Sequence, residues 1–87
     1  MIDMAHISLT PELRNLTQQR LLAQLNDRLG GQVRAIRVEH HFLTNTDHVQ
    51  VRFMNMHTLN TTLPEILSDE FIATCVLVYD LPYRGPR

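Results

Sequence analysis

The chain has 87 residues, 44% of them hydrophobic and 20% charged, which suits one globular domain, is too short for two and argues against disorder. Formal net charge is −1, so no global field draws the chain to nucleic acid or to an anionic membrane. All eight basic residues are arginine, which excludes lysine Schiff-base chemistry and a Walker-type phosphate lysine.

At the N-terminus, Met4 to Leu9 alternates weakly and is expected as a brief strand. Thr10-Pro11-Glu12 then reads as N-cap, first helical residue and acidic first turn. Gly30-Gly31 supplies a stop, so a helix is expected over residues 11–29. Leu21, Leu22, Leu25 and Leu29 form one stripe at helical spacing, whereas Leu13, Leu16 and Ala23 project to another side.

Residues 33–43 and 48–54 are expected as a β-hairpin. Ile36, Val38, His40 and Phe42 alternate with Arg37, Glu39, His41 and Leu43, and Val49, Val51 and Phe53 alternate with His48, Gln50, Arg52 and Met54. A loop of Thr44-Asn45-Thr46-Asp47 pairs Phe42 with Val49 and Val38 with Phe53 on the apolar face, and sets Glu39 opposite Arg52 on the other. His40 is then expected to face the core.

Pro64-Glu65 suits a helical first turn, so a short helix is expected from Pro64. Phe71 to Tyr79 is expected as a final strand that is apolar on both faces, ended by Pro82. Residues 83–87 form a short basic tail behind a single domain over residues 1–82. Strand, helix, strand, strand, helix, strand is the ferredoxin-like βαββαβ plait, an α+β fold with one antiparallel sheet and its helices on one face.

A sheet covered on one face should alternate apolar and polar residues, and Phe71 to Tyr79 does not. A second copy of the chain is the simplest cover, so a homodimer is expected. Its candidate contact is Ile72, Val76 and Val78, with Ala73, Cys75 and Leu77 as the alternative face.

No apolar run reaches the ~18–20 residues of a membrane span, and no basic segment precedes an apolar one at the start. The expectation is a cytoplasmic protein without membrane contact. Cys75 is the only cysteine and lies in the most apolar stretch, where a buried, inert thiol is expected. Four of the five histidines, His40, His41, His48 and His57, fall within one short span, and His41 and His48 are expected as diagonal neighbours on the polar face of the hairpin. Two imidazoles need a third ligand to hold zinc or copper, and no helical H-x-x-x-H or Cys/His pairing accompanies them. Ser8 and Ser68 stand in no nucleophile motif, Asp69-Glu70 reads as a solvated turn, and there is no glycine-rich phosphate loop. Catalytic residues, cofactors and metals are therefore not expected.

The candidate binding surface is the open sheet face: Arg37, His41, His48, Gln50 and Arg52. It carries no aromatic residue on which a base could stack, which argues against nucleic acid. The reading is a non-enzymatic interaction or regulatory module that acts as a homodimer on an unidentified protein partner. The alternative is a nucleic-acid or small-ligand binder that uses the same face.

Overall fold

A computed structural model describes residues 10–80, ordered as α1 (Pro11–Leu29), β1 (Val33–His41), β2 (Thr46–Phe53), β3 (Thr58–Thr62) and α2 (Asp69–Tyr79). The expected strand at Met4 to Leu9 and the basic tail lie outside those residues. None of the described helices is long and apolar enough to cross a membrane.

Helix α1 forms where its signals place it. The Thr10 hydroxyl accepts from the Leu13 N–H, Pro11 opens the first turn, and Gly30 closes the helix with φ 65°, a conformation that a side chain disfavours. Leu21, Leu25 and Leu29 are buried, and Leu13 and Leu16 are exposed. The first turns thus contribute little to the core, and the stripe in the second half anchors the helix.

The chain is α+β, with both helices on one face of a three-stranded antiparallel sheet in the order β1-β2-β3. Val33, Ile36, Val38, Val49, Val51 and Phe53 point inward and meet the three leucines of α1, Ile66 and Cys75. The ferredoxin-like plait is not formed among the described residues. Their third strand is β3, and the segment expected as the last strand is helix α2.

That last difference has a local cause. At 100° per residue, Phe71, Ile72, Cys75, Val78 and Tyr79 fall on one stripe, and these are the residues buried or half-buried against the core. Ser68 caps the helix by accepting from the Phe71 N–H at 3.2 Å, and Asp69 and Glu70 occupy the positive first turn. The β-branched Ile72, Val76 and Val78 favour a strand by propensity, but capping and a one-sided core outweigh that preference. Ser68→Ala is expected to destabilise the domain by about 1 kcal/mol, read as a lower urea midpoint. An unchanged midpoint would mean that the cap contributes nothing.

The expected helix at Pro64 is instead a run of turns, in which Glu65 N–H donates to Thr62 and Ser68 N–H to Glu65. These turns bring Ile66 into the core. Arg28, in the last turn of α1, joins the two helices by donating to the Leu67 carbonyl and to Asp69 at 3.3 Å. At the other end of α2, the Asn55 amide donates to the Val78 and Tyr79 carbonyls. The β2–β3 turn therefore closes the helix that packs beneath β3.

The hairpin register also differs. Val38 faces Val49, not Phe53, and Glu39 faces His48, not Arg52. The chain turns at Phe42 to Asn45, where Asn45 takes φ 49° and donates its N–H to the Phe42 carbonyl. The offset is even, so every side chain keeps its expected face, apart from Phe42 and Leu43. Those two sit in the turn, and Phe42 is 80% exposed rather than packed in the core. A bulge between Val33 and Ala35 keeps Val33 opposite Phe53 on the inner face. His40 faces inward as expected, at the end of the core. There its Nδ1 lies 2.9 Å from Asp47 and its ring meets Phe42 edge-on.

Candidate functional site

The helices leave the second face of the sheet open. Pleating sends alternate residues there from each strand: Arg37, Glu39 and His41 from β1; His48, Gln50 and Arg52 from β2; Thr58, Asn60 and Thr62 from β3. Pairing then sets them in rows. Arg37, Gln50 and Asn60 form one row; Glu39, His48 and Thr62 form the next; Ala35, Arg52 and Thr58 form a third.

The five residues expected as a binding surface, Arg37, His41, His48, Gln50 and Arg52, are all on this face. A shallow cleft of about 300 Å³ is lined by Arg37, Glu39, His41, His48, Gln50 and Asn60. A neighbouring depression shares Arg37 and Gln50 and reaches Arg52. One continuous polar surface therefore includes all five.

His41 and His48 are diagonal neighbours, as expected, although the register that brings them together is not the expected one. Their rings stack with centroids 3.9 Å apart and planes 17° apart. Stacked rings direct their nitrogens side by side rather than toward a common point, which does not suit shared coordination of an ion. Among the described residues no group of three or more His, Cys, Asp or Glu side chains could hold a metal ion.

The charges on the face are mixed. Arg37 donates to Glu39 at 2.7 Å, an exposed pair worth under ~1 kcal/mol. Arg52 faces Ala35 and Thr58 and makes no ion pair among the described residues. The face thus offers one partnered and one free guanidinium, a carboxylate, two imidazoles, two amides and several hydroxyls. Among the described residues it has no aromatic ring other than the histidines.

Asn60, Thr58 and Thr62 were not foreseen as part of this surface. The signal for them is short: Leu59 and Thr61 are half-buried and alternate with exposed Thr58 and Asn60 in a threonine-rich segment. The expected dimer residues do not share a face. Ile72 and Val78 pack against the core, whereas Val76 is exposed, because helical rotation separates positions that a strand would align. Cys75 is completely buried, and burial pushes its thiol up to about 11. No family model matches the chain, and neither does any curated protein or solved structure.

Proposed function

We propose that this chain is a non-enzymatic interaction module that engages a protein partner through the open face of its sheet. The observation that carries this reading is the composition of that face. It is a continuous polar surface spanning three strands, with donors, acceptors and both signs of charge set in rows. Such a surface suits the mixed polar groups of a folded partner, with complementarity giving specificity more than raw affinity. The reading of the chain as non-enzymatic draws on two features. The single thiol is sealed in the core, and the one carboxylate beside the histidine pair is held by Arg37.

A small-ligand site is less well supported. Clefts for small ligands are mostly apolar, and this one is shallow and lined by polar side chains. A single-stranded nucleic acid would need aromatic platforms, and the described residues of this face supply none.

The test compares capture of proteins from a native lysate by the wild type and by a triple variant, Arg37→Ala, His48→Ala and Gln50→Ala. The variant should keep its urea midpoint, since all three side chains lie on the outer face, and should lose the protein that the wild type retains. Equal capture by both would sink the reading. A purified wild type that absorbs more strongly at 260 than at 280 nm would favour the nucleic-acid alternative.

A further inference from the structure

The sheet has two edges, and they are treated differently. On β1, side chains of α1 meet the backbone. Gln18 accepts from the Val38 N–H at 2.9 Å, and Asn26 both accepts from the Val33 N–H and donates to its carbonyl. These amides occupy three of the backbone groups that an added strand would need, which blunts the edge.

The edge formed by β3 has no such cover among the described residues. Leu63 N–H donates to the Asp47 carbonyl and Phe53 N–H to the His57 carbonyl, so the inward-pointing residues of β2 make their backbone bonds to 57, 59, 61 and 63. Thr58, Asn60 and Thr62 must then turn their N–H and C=O groups away from the sheet. One of these groups, the Thr62 carbonyl, takes the Glu65 N–H, and among the described residues no side chain hydrogen-bonds the others. The strand contains no charge and no proline, the two devices that commonly protect an edge.

We propose that β3 is the dimerisation edge of this protein and that its occupant is β3 of a second copy. An antiparallel pair centred on Asn60 brings Asn60 against Asn60, Thr58 against Thr62, and Leu59 against Thr61. Every outward backbone donor then meets a carbonyl. The segment Thr58-Leu59-Asn60-Thr61-Thr62 suits that symmetry because it carries no charge to repel its own copy. Its central amide is both donor and acceptor. The two-fold axis runs through the sheet, so the helices of both copies stay on one side and the two open faces join into a single polar surface. Helix α2 packs against β3 and leaves Val76 and Leu77 exposed. This inference is separate from the reading of the open face and stands if that face binds nothing.

Sedimentation tests it on the full chain. The wild type should be a dimer at tens of micromolar. Asn60→Pro and Thr58→Pro each remove an outward N–H without breaking a bond to β2, so each should weaken the dimer at least tenfold while the circular dichroism stays native. Gln50→Ala, in the same face but on the central strand, should leave the dimer unchanged, which separates this result from failure of the open-face reading. Amide exchange of Thr58 and Asn60 should be slow in the dimer and fast after dilution. A monomeric wild type overturns the proposal, including one whose Thr58 and Asn60 amides are protected by another segment of the chain. So does a dimer that both proline variants leave intact.

Discussion

Phe53→Ala is expected to bring the domain close to unfolding. Phe53 is the largest of the fully buried side chains and lies at the end of β2, against Val33 and beside the Tyr79 ring at 6.4 Å. Truncation removes its transfer energy and leaves a cavity bounded by sheet and helix, together about 3–5 kcal/mol. A domain of this size has only about 5–15 kcal/mol in hand. Its neighbour Arg52 points to the open face, so Arg52→Ala should cost under ~1 kcal/mol. The two substitutions differ by one position in the strand, and the contrast in urea midpoint therefore measures which way the strand faces. Equal shifts would mean that β2 is turned over.

That contrast holds although the register differs from the one expected, which shows what alternation can and cannot supply. The pattern of Ile36, Val38, Val49, Val51 and Phe53 specifies which face is inward. Any even displacement satisfies it equally well, so the pattern alone leaves the register open. The turn decides. A loop at Thr44 to Asp47 would have buried Phe42. In the protein, Asn45 takes the left-handed conformation and His40 meets Asp47, which closes the hairpin earlier and exposes Phe42. Because faces survived the shift, the five candidate surface residues were legible from sequence. Their neighbours on β3 were not, since a five-residue strand with one leucine gives little periodic signal.

Helix α2 shows a second limit. Its apolar run reads equally well at two periods, because Phe71 to Tyr79 has hydrophobic residues at almost every position. Apolar runs of this length are ambiguous by periodicity alone. The deciding signal was Ser68-Asp69-Glu70, a cap and an acidic first turn immediately ahead of the run. Taken as a solvated turn, it leaves the run as a strand with two apolar faces, one of which needs a cover. Read as a cap, it leaves one stripe for the core and Val76 and Leu77 outside. A second copy, as proposed, would then pair at the β3 edge, which no described residue covers, and not at that segment.

Stability is expected to fall as the solution becomes alkaline, and Cys75 is the cause. Its thiol sits at the centre of the inward stripe of α2 with no exposed surface, and burial raises it to about 11. In the unfolded chain the same thiol meets water and ionises near ~8.5–9. The native state therefore holds a proton that the unfolded state has released between those values, and stability decreases with rising pH across that window. The contribution is fully present below the unfolded value and is lost once pH passes the folded one, a total of roughly 3 kcal/mol. Cys75→Ala has no proton to lose there, at the cost of a small cavity of about 1–2 kcal/mol at neutral pH. Urea midpoints for both proteins at pH 8 and pH 10.5 isolate the effect, because every other titrating group is common to the two. Wild type should lose about 2 kcal/mol more than the variant between those points. A disulfide reagent at neutral pH should label Cys75 only as fast as the domain opens, because the thiol is both buried and protonated. Equal alkaline losses in the two proteins, or labelling at the rate of a free thiol, would place Cys75 outside the core and undo the helical stripe that buries it.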